Sequence, residues 1–361
     1  MPTFVIDSAA LSRNMEKLRR FTSAQIIAVV KGNGYGLDLV PYARFLTAQG
    51  VELLAVSTAA EAAALRDAGI TAELLMLSST ALPEEIAALL ARDVILTVGS
   101  ADAARAVSAA AEARGVTARV HVKLDTGMGR YGFLPQETAE AAALLQALPA
   151  LRVEGVFTHL SDAANTKCTA LQYRRFTEGV RILQEEGIDT GLRHVCASTA
   201  FLRYPEMHLD AVRLGSALLG RLSVPDTLGL ERIGWLEAQV TELKTLPAGW
   251  QVGYTGAYRT RRETRLALLP VGYTSGVGVT EESNALRLRD RLRRVLHTGR
   301  RLLRADGLTV LVNGCRCPVR GVVGATAIEA DVTGVPCAVG DTVRIEVRPK
   351  FVDSAVPREY R

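Results

Sequence analysis

The sequence contains no long hydrophobic run. No stretch approaches the roughly 18 to 20 consecutive apolar residues that a membrane-spanning helix needs, and residues 1–20 lack the apolar centre of a signal peptide. Cysteine is scarce: the five cysteines are odd in number and scattered, which is typical of a reduced protein rather than of a disulfide framework. We therefore expect a cytoplasmic protein that does not span a membrane.

Signatures of metal and nucleic-acid binding are also missing. Cys315 and Cys317 have no second pair at metal-ligand spacing, so no metal site is predicted. The net charge of +5 is mild and suits an anionic cofactor or substrate without implying nucleic acid. Much of this excess lies in residues 287–304, where apolar residues at helical spacing predict a solvated amphipathic helix. A partner with phosphate or carboxylate groups is the alternative, and nucleic acid is disfavoured because no aromatic residues accompany the charge.

Apolar runs alternate with amphipathic or alanine-rich helices from about residue 12 to residue 220. The helices carry start and stop signals, such as Ser100 and Gly115 around one helix and a Thr58-x-x-Glu61 capping box before another. The predicted strands are 26–30, 53–56, 73–77, 94–98, 118–124, 153–158, 192–196 and 211–214. Eight strand–helix units predict a closed parallel (β/α)8 barrel with an outer ring of helices.

The pattern changes after about residue 221. Alternating apolar and polar residues predict further strands, joined by turns at Pro247–Gly249 and Asn313–Gly314. These strands are 237–246, 265–271, 308–312 and 342–347. The expected fold class is thus α/β, with an N-terminal TIM-like barrel over residues 8–221 and a C-terminal, mostly β domain over residues 222–361.

A lysine and a glycine-rich turn directly follow the first predicted barrel strand, in the stretch IIAVVKGNGYG of residues 26–36. Because desolvating an ammonium is costly, Lys31 is expected to have a lowered pKa and to act as a nucleophile toward a carbonyl. A lysine that merely reaches the surface is the alternative. The glycines allow a ligand to approach the backbone closely, and the Tyr35 hydroxyl can contact a phosphate.

Other polar residues follow later barrel strands, at the edge where functional residues of such barrels lie. They are Lys123 with Arg130, His159, Ser198 and Arg213. The barrel predicted from periodicity and the residues selected for their chemistry therefore agree on one location.

The stretch VVKGNGYG resembles the lysine motif of the alanine racemase family, whose usual form reads VVKANAYG. Five later stretches resemble further motifs of the family: VKLDTGMGRYGF (122–133), HVCAS (194–198), VRLGSALLG (212–220), GYTG (253–256) and PVGY (270–273). The resemblance covers nearly the whole chain. It implies pyridoxal 5′-phosphate as cofactor, an isomerase that interconverts L- and D-amino acids, and a first strand, within residues 1–7, that packs on the C-terminal domain.

The resemblance also implies residue roles. Lys31 would hold the cofactor covalently and act as one base, and Tyr254 would act as the other base in the second subunit of a homodimer. Two proton carriers on opposite faces of the reacting carbon suffice for racemisation. Arg130 would contact the substrate carboxylate, and Lys123 matches a lysine that many members carry as a carbamate. The remaining cofactor contacts would be Tyr35, His159, Ser198, Arg213, Gly215 and Ser216, and substrate contacts Tyr273 and Ala325.

Arg213 has a particular consequence for the cofactor. An arginine does not give up its proton, so a ring nitrogen facing it stays unprotonated and the ring is a weaker electron sink. That favours proton exchange over transamination. A salt bridge inside the barrel end is the alternative role for Arg213.

Several positions depart from the family pattern. Ala197 replaces an asparagine, Ala325 stands at the methionine of a Met-Asp pair, and Ser354 stands where a tyrosine is frequent. Ala164 and Val279 occupy two positions that usually line a narrow mouth. Loss of these bulky and charged groups predicts a wider pocket, and hence either a substrate larger than alanine or altered chemistry.

Two other functions are weighed against the racemase. A related barrel decarboxylase or aldolase would also use the cofactor, but the decarboxylases usually place a carboxylate on the ring nitrogen, where this chain has Arg213. A protein that binds the cofactor without turnover would have no need of a second base such as Tyr254.

Overall fold

The computed structural model describes residues 1–280 and 307–361, so the arginine-rich segment 287–304 lies outside the described residues. The chain divides into two compact units. One comprises Ser8–Ile233, and the other comprises Met1–Asp7, which contains strand β1 (Thr3–Ile6), together with Gly234–Arg361. Across the two described ranges, no helix is both long enough and apolar enough to cross a membrane.

The first unit is the (β/α)8 barrel that the sequence predicts. Its strands are β2 (Gln25–Val29), β3 (Leu53–Val56), β4 (Glu73–Ser79), β5 (Ile95–Val98), β6 (Ala118–Lys123), β7 (Leu151–Phe157), β8 (Leu192–His194) and β9 (Ala211–Leu214). Within residues 8–233, which are all described, these strands form one parallel sheet in the order β8-β7-β6-β5-β4-β3-β2-β9. A bridge between Ala197 and Arg213 joins the segment after β8 to β9 and nearly closes the barrel.

Helices follow the strands around this barrel. They are α1 (Ser8–Phe21), the short turn α2 (Lys31–Tyr35), α3 (Leu39–Ala48), α4 (Ala59–Asp67), α5 (Pro83–Leu90), α6 (Ala101–Arg114), α7 (Thr138–Gln146), α8 (Thr166–Glu185) and α9 (Ser198–Arg203). The predicted signals at α6 are confirmed, since Ser100 Oγ accepts the N–H of Ala103 and Gly115 adopts a left-handed φ of 64°.

Apolar residues at alternate strand positions fill the barrel. Ile27 and Val29 of β2 pack with Leu53 and Ala55 of β3 and with Leu75 of β4. Every residue of β3 and β5 is buried, as expected for strands covered by helices on one face and by the barrel interior on the other. These strands read as continuous apolar runs in the sequence for the same reason.

Only one of the two hydrogen bonds of the capping box expected at α4 forms. Thr58 Oγ1 accepts the N–H of Glu61 at 3.2 Å, as predicted. The carboxylate of Glu61 does not return to Thr58; it accepts the N–H of Ser57 at 2.9 Å and the N–H of Gly32 at 2.6 Å. The amide of Gly32 competes successfully for this carboxylate because β2 and β3 are adjacent parallel strands with their carboxyl ends at the same edge.

The second unit is mostly β-structure. Its later strands are β10 (Trp235–Gln239), β11 (Glu242–Leu246), β12 (Gln251–Val252), β13 (Tyr258–Arg259), β14 (Thr264–Leu269), β15 (Thr309–Val312), β16 (Cys315–Arg320), β17 (Ile328–Asp331), β18 (Thr342–Ile345) and β19 (Arg358–Tyr360). In its described part, the main sheet has the order β11-β14-β17-β16-β15-β18-β10-β1-β19, and β12 pairs with β13.

One turn prediction and one strand prediction in this unit have different outcomes. Asn313 and Gly314, with φ of 48° and 80°, form the predicted two-residue hairpin between β15 and β16. The single strand predicted over residues 237–246 is wrong, because β10 ends at Gln239 and a separate strand begins at Glu242. The break allows β10 to pair with β1 and β18, whereas β11 pairs with β14.

Candidate active site

Lys31 lies two residues beyond the end of β2, at the carboxyl edge of the barrel. The residues after it form a left-handed turn, with φ values of 65° at Gly32, 53° at Asn33, 64° at Gly34 and 55° at Tyr35. Left-handed backbone costs about 1–2 kcal/mol for a residue with a side chain, so glycine at two of the four positions reduces the strain. The sharp turn leaves Lys31 at the barrel mouth, where it keeps solvent exposure.

The charges around Lys31 are mostly positive. Loss of hydration and then the guanidinium of Arg130 lower the pKa of Lys31, with a smaller contribution from Arg213, while the carboxylate of Glu61 opposes them. A lowered pKa leaves more of the amine unprotonated at neutral pH, and the unprotonated amine is the form that attacks a carbonyl or takes up a proton.

The loop that carries Arg130 is organised by one carboxylate. Asp125 is buried, and its two oxygens accept the backbone N–H groups of Gly127, Met128 and Arg130 at 2.7–2.9 Å. Burial acts to raise the pKa of Asp125, but these hydrogen bonds outweigh it and lower the pKa. Gly132 is required beside this loop, because a Cβ there would lie 2.5 Å from the backbone nitrogen of Asp125.

Lys123, the last residue of β6, is only 4% exposed. Burial, followed by the charges of Arg130 and Arg213, lowers the pKa of Lys123 to about 8. Its ammonium lies 5.3 Å from the centre of the Tyr131 ring and 5.1 Å from that of Phe157. These aromatic faces partly compensate for lost hydration.

Arg213 projects from β9 and is 3% exposed. Its two terminal nitrogens donate to His194 Nδ1 at 2.6 Å and to the carbonyl oxygens of His194, Thr158 and Val195 at 2.6–3.2 Å. Burial lowers the pKa of Arg213 to about 10, so the guanidinium stays charged at neutral pH. Since the terminal nitrogens are engaged by the protein, the Nε–H is the donor left for a ligand.

The bond from Arg213 also fixes the protonation of two buried histidines. Because His194 Nδ1 accepts from the guanidinium, its Nε2 carries the proton and donates to His121 Nδ1 at 2.9 Å. Burial and then the charge of Arg213 lower the pKa of His121 to about 3 and that of His194 well below its ordinary value. His159 also faces Arg213, at 3.4 Å, and its pKa is lowered to about 3 for the same reasons.

A second corner of the barrel mouth combines Ser198, Gly215 and Tyr35. Ser198 Oγ accepts the N–H groups of Gly215 at 3.3 Å and Ala217 at 3.1 Å, so its own O–H is available to donate. A Cβ on Gly215 would stand 2.5 Å from the Tyr35 hydroxyl. Burial raises the pKa of Tyr35, which keeps this hydroxyl a donor. Ser216 follows in the same segment, two residues after the end of β9.

The other selected residues lie on the β unit. Tyr254 is in the turn between β12 and β13 and is 71% exposed, and Tyr273, after β14, is 55% exposed. They are near one another, because Gly324 lies against the Tyr254 ring and its carbonyl accepts the N–H of Tyr273 at 3.0 Å. Ala325 is the next residue. The sequence-selected residues thus form two groups, one on each unit.

Comparison with known proteins identifies the family. The profile of the alanine racemase N-terminal domain matches residues 6–223, and that of the alanine racemase C-terminal domain matches residues 233–350. The chain belongs to the alanine racemase family. It is accordingly an isomerase, an amino-acid racemase that uses pyridoxal 5′-phosphate.

Individual racemases resemble the chain over most of its length. It is 33% identical to the alanine racemase of Methanococcus maripaludis and 35% identical to that of Desulfovibrio desulfuricans, covering 94% of this chain and 87% of each relative. Among solved structures, alanine racemase of Clostridium difficile 630 has a TM-score of 0.86 at 26% identity, over 100% of this chain and 95% of the other. The racemase of Streptomyces lavendulae has a TM-score of 0.85 at 29% identity, over 100% and 97%.

The residues of the barrel mouth fit pyridoxal 5′-phosphate. Lys31 would supply an amine for its aldehyde, and the Nε–H of Arg213 would supply a donor for the ring nitrogen. The O–H groups of Ser198 and Tyr35 are donors suited to a phosphate. Gly215 is required at this corner, because a Cβ there would lie 2.5 Å from the Tyr35 hydroxyl and 2.6 Å from its ring and would displace that donor.

Replacing Gly215 by alanine should weaken cofactor binding by about tenfold or more, because the added Cβ would displace the Tyr35 hydroxyl and its hydrogen bond to a charged group. Titrating the apoprotein with pyridoxal 5′-phosphate measures this affinity. Gly307→Ala is the matched control, since a Cβ there meets nothing within 4 Å. In the Gly215→Ala background, adding Tyr35→Phe should cost little more. An unchanged affinity in Gly215→Ala would contradict the assignment of this corner.

Three residues at this site were not selected from the sequence. Asp125 carries a signal that could have found it, because Asp-x-Gly is typical of a carboxylate that accepts backbone N–H groups two residues on. His121 is the one polar side chain that interrupts the apolar residues Val120 and Val122 of β6. Glu61 was assigned to a helix cap, and only the folded barrel brings it to Gly32.

Proposed function

We propose that the chain racemises an amino acid by two-base proton transfer, with Lys31 on one face of the α-carbon and Tyr254 of the partner subunit on the other. The observation that carries the proposal is the placement of Lys31 among Arg130, Lys123 and Arg213 with a lowered pKa. A nucleophilic amine surrounded by cations is suited to a carbonyl ligand that bears anionic groups.

Each residue of the barrel mouth has a defined task in this proposal. The cofactor, when bound, withdraws electrons from the substrate and weakens its Cα–H bond. Lys31 Nζ takes or returns the proton on its face. Arg130 binds the substrate carboxylate through its guanidinium fork. Arg213 keeps its own proton and so holds the ring nitrogen unprotonated, which favours return of the proton over transamination.

Lys123 is proposed to carry a carbamate that holds Arg130. A pKa of about 8 gives the amine a far larger unprotonated fraction at neutral pH than an ordinary lysine has, and only that form adds carbon dioxide. The product is an anion, which would pair with the neighbouring guanidinium and relieve the excess of positive charge.

A homodimer with shared sites is proposed because the second base is exposed on the β unit. Tyr254, Tyr273 and Val322 are large apolar residues on the β unit that remain 46–71% exposed. A cluster of this kind marks an interaction surface rather than ordinary solvent-facing structure. The backbone of this turn is also strained, since Thr255 adopts a left-handed φ of 59°. Strain of this kind is typical of functional sites, and here it accompanies the outward placement of Tyr254.

The proposed substrate is alanine or a larger amino acid. Ala325 offers only a methyl group beside Tyr273, and Ala164 and Ser354 are small residues on exposed surface. Small, uncharged residues at these positions would exclude larger substrates poorly, because rejection requires steric or unpaired polar contacts.

Incubation of the holoenzyme with a panel of L-amino acids in deuterated water tests the reaction. We expect deuterium at the α-carbon together with appearance of the D-enantiomer, for alanine and for at least some larger side chains. Mass spectrometry and chiral chromatography measure both. The Lys31→Ala variant should show neither. Release of carbon dioxide would instead indicate a decarboxylase, and no exchange with any amino acid would indicate cofactor binding without turnover.

A further inference from the structure

The carboxylate of Glu61 binds the turn that carries Lys31. One oxygen accepts the backbone N–H of Gly32, the residue directly after the lysine, at 2.6 Å. The other accepts the N–H of Ser57, between β3 and α4, at 2.9 Å. Both oxygens are therefore used to join the ends of two neighbouring barrel strands.

This contact acts where the lysine turn needs a constraint. Val30, which precedes the turn, provides no side-chain cap, and four left-handed residues follow Lys31. The turn is closed further on by the bonds from Gly34 N to Val30 O and from Gly36 N to Gly32 O. Glu61 therefore holds the peptide between Lys31 and Gly32 at its amide.

Glu61 also contributes the opposing charge near the amine. Arg130, from the loop after β6, and Arg213, from β9, repel the ammonium form, while Glu61, from α4, favours it. The charge of Lys31 also acts on Lys123 of β6 and on His159 after β7, and it lowers the pKa of both. The carboxylate of Glu61 thus contacts the backbone beside Lys31 and also places a negative charge near the amine of Lys31.

We propose that Glu61 is a positioning residue for Lys31: by bridging the amides of Gly32 and Ser57, it fixes the direction from which the lysine amine enters the barrel mouth. The inference rests on the role proposed for Lys31. It assigns Glu61 a task beyond the helix cap, which Thr58 supplies through its hydroxyl.

Two variants separate the contact from the charge. Glu61→Gln removes the charge and leaves one amide oxygen, so it cannot accept both N–H groups. Glu61→Asp keeps the charge but is too short to bridge both amides. The matched control is Glu85→Gln, which removes a half-buried acidic residue from the first turn of the neighbouring helix α5. Thermal unfolding of each apoprotein verifies folding, and Glu61→Asp carries the test if Glu61→Gln does not fold.

The readout is the rate at which pyridoxal 5′-phosphate becomes covalently attached to the apoprotein, measured by absorbance as a function of pH. In Glu61→Gln we expect the limiting rate at high pH to fall about tenfold, because a charge-assisted hydrogen bond is lost. The midpoint of the pH profile should move to lower pH, because the carboxylate no longer favours the protonated amine. Glu61→Asp should lower the limiting rate with little change in midpoint, and Glu85→Gln should match the wild type.

The outcomes distinguish the two proposals. Limiting rates of Glu61→Gln and Glu61→Asp within twofold of the wild type would overturn the positioning role while leaving that of Lys31 intact. A wild-type apoprotein whose attachment rate equals that of Lys31→Ala would instead overturn the proposed function. Pyridoxine 5′-phosphate, which has no aldehyde, should bind wild type and both Glu61 variants alike, and unequal affinities would show that Glu61 shapes the cofactor pocket instead.

Discussion

An equal mixture of the Lys31→Ala and Tyr254→Phe variants, after subunit exchange, should regain about a quarter of wild-type racemase activity. Each variant alone should lose roughly 10²–10⁴-fold, the usual contribution of a general acid or base. In a mixed dimer that shares its sites, one site combines both substitutions and the other has an intact Lys31 and an intact Tyr254. Half the dimers are mixed, and each has one working site of two.

The experiment needs a control mixture of two variants that cannot restore an intact site to each other. The double variant Lys31→Ala/Tyr254→Phe, mixed with Lys31→Ala, forms dimers in which every site lacks the lysine, and it should remain inactive. Different affinity tags on the two chains allow mixed dimers to be isolated, and these should have about half of wild-type activity. Isolated mixed dimers without activity would show that Tyr254 does not act across the subunits.

Acid should destabilise the apoprotein steeply because of the two interior histidines of the barrel. His121 and His194 are 2% and 0% exposed and fold as neutral rings. Their folded pKa values lie far below the ordinary value of 6.5, so the unfolded chain binds protons first as pH falls. Stability is therefore fully present above about pH 6.5 and is lost progressively toward pH 3, by about 1.4 kcal/mol per pH unit for each histidine.

Urea unfolding of the apoprotein between pH 7 and pH 4.5 measures this loss. The His121→Gln variant removes one titrating ring, while its amide oxygen still accepts the N–H of His194. We expect the wild type to be more stable than this variant at pH 7, and the difference to shrink as pH falls. Equal dependence on pH in the two proteins would mean that His121 does not unfold into a protonated state.

The barrel was predictable because its strands are short apolar runs separated by helix caps and glycine stops. Residues 53–56 and 211–214 were assigned with the bounds that the structure has. The edges of the β unit were harder. A strand there is defined by its pairing partners, and the separation of β10 from β11 at Val240 follows from those partners rather than from any local signal.

Some residues of the site could also be predicted from the sequence, and others could not. Lys31 and Arg213 could be selected because each is a charged residue at or near the end of an apolar strand, where its charge is costly to desolvate. Glu61 could not, because its local sequence satisfies a complete helix-cap pattern. Whether its carboxylate returns to its own helix or crosses to Gly32, 29 residues earlier, depends on strand neighbours that the linear pattern does not contain.

The pairing of β1 bears on how the chain is made. β1 lies between β10 and β19, and Phe4 pairs with Arg358, about 350 residues further on. During translation Ser8–Ile233 can complete its sheet while β1 still lacks both neighbours, leaving two unsatisfied strand edges at the ribosome. We therefore expect β1 to acquire its hydrogen-exchange protection later than the strands of the barrel.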